Sequence, residues 1–374
     1  MAALKNKKIK KIPAKKKVVK KTATKKKVGK IKTIKKKSGV ELVKAINNPI
    51  IEPRAYSWES KATFNPTAFY HDGKVHIVYR AIGDSDNSVL GYVTSQDGLS
   101  VSERFPTPIY SHFLHQNKDK SLPLISYSSG GGWGGGCEDP RLTLLKDRVY
   151  MLYTAFDGWG SVRIALTSIS LDDFISRRWN WKKPVLISPP GEIHKNWVLF
   201  PEKIKGKYAI LHSFAPKILI DYFDSLDELD GKKFIKSDNT RPVDLTRTWD
   251  SWFRGVGPSP IKTKYGWLVI YQAMDHRNSD RYKIGAMILD IEDPTKILYR
   301  GNEPILEPNE WYENEGYKGG VVYSCGAVVK DGELFVYYGG ADKVSCVATA
   351  NLDEFLNELV HKSASKLKSK RIKA

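Results

Sequence analysis

"KDRVYMLYTAFDG" occupies residues 146–158 of a 374-residue chain. It opens on a turn, runs through β-branched and aromatic positions, and closes on small residues, which reads as a strand bounded by turns. The same shape returns as "DGKVHIVYRAIGD" at 72–84, "KGKYAILHSFAP" at 205–216, "YGWLVIYQAMD" at 265–275 and "DGELFVYYGGAD" at 331–342. The aligned positions are Tyr79, Tyr153, His212, Tyr271 and Tyr338, spaced by 74, 59, 59 and 67 residues. A short strand pattern precedes each copy, as in "NPTAFYH" and "EDPRLTLL", and another follows, as in "SVLGYVTSQDG" and "SVRIALTSISLDD". Strand, turn, strand, turn, strand, five times over, is the signature of a radial β-array. The expected fold is all-β, a five-bladed β-propeller over residues 38–361, which leaves few sheet edges unpaired. An open β-sandwich is the competing arrangement. In a propeller the innermost strands converge on one axial pocket, where binding and chemistry are expected.

The formal charge of +20 suggests nucleic acid at first, but its placement argues otherwise for the folded part. Residues 1–37 hold 18 lysines and no acid, and residues 362–374 hold five lysines and one arginine. Removing those 24 charges leaves −4 for residues 38–361. The lysine-rich N-terminal stretch repels itself and is expected to be a disordered tail. It suits non-specific attachment to nucleic acid or an anionic surface by counterion release, contact with other subunits of a homo-oligomer, or plain solubilisation. No run approaches the roughly 18 apolar residues of a membrane span. Cys137, Cys325 and Cys346 form no CxxC, and no signal-peptide pattern precedes them. Reduced thiols in a cytoplasm and no bound metal are the expectation.

The residues that would converge in the pocket are carboxylates, cations and aromatics. They include Asp84 and Asp86 from the first repeat, and Glu138, Asp139, Arg141 and Arg163 from the second. The third contributes His194, Lys195 and His212, the fourth Arg254 and Asp275, and the fifth Asp342. Aromatic faces stack on sugar rings, and charged groups hydrogen-bond hydroxyls. The surplus of Arg, Lys and His also suits a phosphate or carboxylate. His212 breaks a run of tyrosines. "GGGWGGGCEDPR", residues 130–141, is too purposeful at its end for a linker. Trp133 among its glycines is a candidate sugar-stacking lid.

The motifs "CEDPRLTLLKDRVYMLYTAFDG", "HKNWVLFPEKIKGKYAILHS", "GVGPSPIKTKYGWLVIYQAMD" and "PILEPNEWYENEGYKGGVVYSCGAVVKDGELFVYYGGAD" resemble glycoside hydrolase family 130 over residues 45–360. The family comprises β-mannoside phosphorylases and β-mannosidases on a five-bladed propeller. The resemblance implies an inverting glycoside phosphorylase. Inorganic phosphate, the co-substrate, would cleave a terminal β-mannoside of a mannosyl disaccharide or mannooligosaccharide, releasing α-mannose 1-phosphate with no cofactor. It assigns phosphate to Arg141, Arg163, Lys195 and His212, with Asn196 and Ser213 standing where the family commonly has Asp and Arg. Asp86, with Asp84 as rival, would be the general acid. Asp139, Asp275 and Asp342 would hold sugar hydroxyls. Arg141→Ala is expected to abolish phosphate-dependent turnover and leave the fold intact. A β-mannoside hydrolase of the same fold, or a non-catalytic sugar-binding propeller with a nucleic-acid-binding tail, are the alternatives.

Overall fold

The computed structural model describes residues 40–112, 134–238, 240 and 242–362. The tail read at 1–37, the basic stretch beyond residue 362, and Trp133 lie outside the described residues. After β1 (Val43–Lys44), the strands fall into five antiparallel units in chain order. The first holds β2 (Ala62–His71), β3 (Lys74–Ile82), β4 (Asn87–Ser95) and β5 (Glu103–Arg104). The second holds β6 (Gly135–Leu145), β7 (Arg148–Phe156), β8 (Val162–Ser170) and β9 (Val185–Leu186), with the short helix α1 (Leu171–Ile175) after β8. The third holds β10 (Val198–Leu199), β11 (Tyr208–Ser213) and β12 (Leu219–Phe223). The fourth holds β13 (Trp252–Val256), β14 (Ile261–Thr263), β15 (Gly266–Met274), β16 (Lys283–Leu289) and β17 (Ile297–Arg300). The fifth holds β18 (Val322–Lys330), β19 (Glu333–Gly340) and β20 (Val344–Asn351), followed by helix α2 (Leu352–Lys362). β1 pairs antiparallel with β20, so the start of the described chain completes the last unit.

All five repeats of the sequence lie on a middle strand, with a neighbour on each side. Both faces of these strands are apolar because successive side chains point to opposite faces and each face meets a different unit. On β3, Val75, Ile77, Tyr79 and Ala81 pack with β19 and β20 of the fifth unit, while Val78 packs with the second. Further clusters join the second unit to the third, the third to the fourth, and the fourth to the fifth. A fully buried Val, Leu, Ile or Phe contributes about 1.5–3 kcal/mol, so the stability of each unit depends on its neighbours.

The repeat tyrosines are anchors. Tyr79, Tyr271 and Tyr338 donate to the buried carboxylates of Glu59, Asp250 and Glu313, at 2.7, 2.8 and 2.8 Å. A cation from the outermost strand neutralises each acid: Arg104 of β5 for Glu59, Arg300 of β17 for Asp250 and Lys44 of β1 for Glu313. Tyr153 instead meets Tyr110 and His112. At the remaining position, in the third repeat, stands His212, and no buried carboxylate partners it.

Candidate active site

The first strands of four units are irregular at similar points. One-residue register shifts occur between Phe64 and Thr67 of β2, Glu138 and Arg141 of β6, Phe253 and Gly255 of β13, and Ser324 and Gly326 of β18. Each lies beside or close to the partner of a repeat tyrosine. A bulge leaves a residue out of the ladder and re-aims its side chain. Asn65, Asp139 and Asn196 adopt left-handed backbone with φ of 47°, 49° and 68°, a region that Asn and Asp tolerate better than most residues. Gly255 has φ +147°, and a Cβ there would stand 2.1 Å from the Asn196 side-chain amide. That glycine lets the fourth unit press against the third.

These strands are cross-bonded by the residues that the sequence singled out. Arg141 is 2% exposed. It donates to the carbonyls of Gly257 (2.8 Å), Val256 (3.2 Å) and Asp139 (2.7 Å), to Asn196 Oδ1 (2.8 Å) and to the Tyr323 hydroxyl (3.4 Å). Asn196 also accepts from Tyr323 and donates to the Arg254 carbonyl at 2.9 Å. An aspartate at 196 would set a carboxylate against that carbonyl, so the amide fits here. The guanidinium satisfies carbonyls of two units, so Arg141→Ala carries a structural cost besides any effect on turnover.

Glu138 links two more cations, Arg80 at 3.0 Å and Lys195 at 3.0 Å. Asp139 lies 3.5 Å from Arg80. Burial alone would raise the Asp139 carboxyl, but Lys195, Arg80 and Arg141 together hold it below its ordinary value. Asp342 feels the same cations from the other side. There burial dominates, Lys318, Arg80 and Lys195 oppose it, Asp139 adds repulsion, and the carboxyl is held above its ordinary value. Two carboxylates thus share one cationic surround with unequal proton affinities, a pattern that marks functional sites.

Beside this network lies a narrow, solvent-open cleft. Lys195, Asn196, His212, Ser213, Phe253 and Arg254 are among its lining residues. His212 is buried, its two ring nitrogens lack a hydrogen-bond acceptor or donor, and Asp221 Oδ1 stands 3.6 Å from Nε2. A buried imidazole with both nitrogens unpaired is costly, and the cost is recovered when a ligand in the cleft supplies the partner. Arg163 is half-buried, donates to the Ser188 carbonyl at 2.8 Å from Nε, and stacks on Phe234.

The remaining site residues are spread. Asp86 is exposed, has φ +59°, pairs with Lys61 at 2.6 Å, and accepts from Gly134 through its carbonyl. Asp84 accepts from Ser60 at 2.6 Å. Asp275 stands apart from the cleft-lining residues, with its carboxylate spent on the Arg277 backbone and guanidinium. Gly135 and Gly136 are not a spacer: they begin β6 and pair in parallel with Asn87 and Ser88 of β4. Gly136 has φ +97°, and a Cβ there would meet the Ser88 carbonyl at 2.3 Å. Sequence reasoning missed Glu59, Asp250 and Glu313. The signal was an acid after an aromatic, Trp58-Glu59, Trp249-Asp250 and Tyr312-Glu313, placed 20 to 25 residues before its tyrosine. Among the described residues no group of three or more His, Cys, Asp or Glu is arranged to hold a metal ion, and no helix is long and apolar enough to cross a membrane.

Comparison with known proteins supplies the family. Residues 25–361 match a family model described as beta-1,4-mannooligosaccharide phosphorylase. A 1,2-beta-oligomannan phosphorylase of Thermoanaerobacter sp. (strain X514) is 38% identical over 84% of this chain and 99% of its own length. A beta-1,2-mannobiose phosphorylase of the same organism is 35% identical over 80% of this chain and 94% of its own length. Among solved structures, one from a study of mannoside phosphorylases and β-1,2-mannan-targeting hydrolases matches with a TM-score of 0.66. It is 25% identical and covers 85% of this chain and 95% of its own.

Proposed function

The chain belongs to glycoside hydrolase family 130, and on that premise we propose that it is an inverting β-mannoside phosphorylase built on a five-bladed β-propeller. The propeller reading is supported by the five antiparallel units, by apolar clusters joining each unit to the next and the fifth to the first, and by β1 completing the last unit. One observation carries the activity. His212 takes the place of an anchoring tyrosine, is buried with no hydrogen bond to either ring nitrogen and only the half-exposed Asp221 carboxylate 3.6 Å from Nε2, and lines a cleft with Lys195. A ligand rich in oxygen acceptors provides the missing hydrogen-bond partner.

In the proposed reaction, phosphate sits against Lys195 and His212. Arg141 and Arg163 add positive field and hold the surrounding backbone. A phosphate oxygen attacks C1 of a terminal β-mannosyl unit from the face opposite the leaving group. The C1–O glycosidic bond breaks, the new C1–O bond to phosphate forms with inversion, and the leaving oxygen takes a proton from Asp86, which must first exchange its ion pair with Lys61 for that proton. Phosphate is already a nucleophile, so the second carboxylate that an inverting hydrolase needs to activate water is dispensable. Asp139, ionised, accepts hydroxyl protons of the mannosyl unit, and Asp342 serves its other side. The relatives named for β-1,2 linkages are the more similar to this chain, and β-1,2-mannobiose is the substrate we favour over its β-1,4 isomer. Incubation of each mannobiose with phosphate, followed by NMR of the products, tests this. α-Mannose 1-phosphate plus mannose is expected. Free mannose alone would move the assignment to the hydrolase, and binding without turnover would move it to a sugar-binding module.

A further inference from the structure

We propose that Arg254 is a third arm of the anion pocket, binding the same phosphate as Lys195 and His212. The inference rests on the phosphorylase reading above and deepens it. Arg254 is the residue between the shifted partners Phe253 and Gly255 of β13. It therefore sits at the register shift of β13, close to the level at which Asp139 sits at the register shift of β6, where the ladder is interrupted and a side chain can be re-aimed. Its guanidinium is aligned by two aromatic faces, with Cζ 4.5 Å from the Trp252 ring centroid and 5.6 Å from that of Tyr282. Such stacking fixes the plane of an arginine while leaving its N–H edge for a ligand.

The edge is unspent. Arg254 Nε is buried and has no hydrogen-bond acceptor. The acid nearest the pocket by lining, Asp238, is turned to Thr240, whose backbone N–H and hydroxyl it accepts at 2.9 and 2.7 Å. The backbone of Arg254 is itself registered to the pocket, because its carbonyl accepts from Asn196. Lys195, His212 and Arg254 therefore reach one cleft from two units, each with donor capacity that the protein leaves free or half-used. A tetrahedral dianion matches that donor set, since a planar fork and two point donors can engage three separate oxygens.

The test is Arg254→Gln and Arg254→Lys, assayed in phosphorolysis with each substrate varied in turn. Removing one charge-assisted hydrogen bond should raise the KM for phosphate by about tenfold or more, with the KM for mannobiose changing by less than about twofold. Arg254→Lys should recover part of that affinity, because it restores charge without the fork. A phosphate KM within about twofold of wild type in Arg254→Gln, or an equal rise in both KM values, would overturn the assignment. Should Arg254→Gln not fold, an unchanged phosphate KM in Arg254→Lys overturns it equally. Wild-type turnover without phosphate would instead overturn the phosphorylase reading. Titration of inorganic phosphate into wild type and variant then still decides the role of Arg254, and equal affinity would refute it.

Discussion

Arg141 ties several units together through one side chain. Its N–H groups satisfy carbonyls at Gly257, Val256 and Asp139, and its position fixes Asn196. Arg141→Ala would strand several buried acceptors, each worth about 1–3 kcal/mol. We expect a loss of at least about 3 kcal/mol in urea unfolding together with loss of turnover. Unchanged stability would show that water replaces the guanidinium. Asp275 makes the contrasting case. Arg277 draws its carboxyl from the ordinary 3.8 down to about 2. The folded state thus prefers the ionised form, so its stabilisation is complete above about pH 4 and fades as pH falls towards 2. The stability difference between wild type and Asp275→Asn should be constant from about pH 7 to 5, fall as pH passes through about 2, and vanish only at about pH 1. A difference that persists there would mean that Arg277 is not its cause.

At the scale of elements, the tyrosine–carboxylate–cation anchor is the repeated device. Asp250 is buried against Tyr271, Arg247 and Arg300. Asp250→Ala would leave the partly buried Arg247 and Arg300 without their shared carboxylate, at up to about 3 kcal/mol. The melting temperature should fall while the KM for phosphate stays put; a selective rise in that KM would mean the anchor shapes the cleft. The middle strands were legible because alternation and turn residues are local. The anchoring acids were not, because each lies 20 or more residues from its tyrosine and only the fold joins them. On helix α2, Phe355, Leu356 and Leu359 repeat at helical spacing and pack on the fourth and fifth units. Arg141, Lys195 and His212 were legible through motif and through the broken tyrosine pattern. Arg254 could be collected but not assigned, since its aim depends on a bulge that no local pattern announces.

For the molecule as a whole, charge is divided by place. The net −4 of residues 38–361 coexists with a cluster of Arg80, Arg141, Lys195 and nearby Arg254, concentrated where the first strands meet. Such a local positive field in a near-neutral body favours a small anion over a polyanion. Residues of all five units enter that network, among them Arg80, Arg141, Asn196, Val256 and Tyr323. The site is therefore a product of the whole array rather than of any one unit. The central claim is that phosphate, not water, attacks the glycosidic bond. The most direct measurement is the initial rate of β-1,2-mannobiose cleavage at decreasing phosphate, extended to phosphate-free buffer. The rate should saturate with phosphate and fall to zero in its absence. A rate that persists without phosphate and yields free mannose would contradict the account.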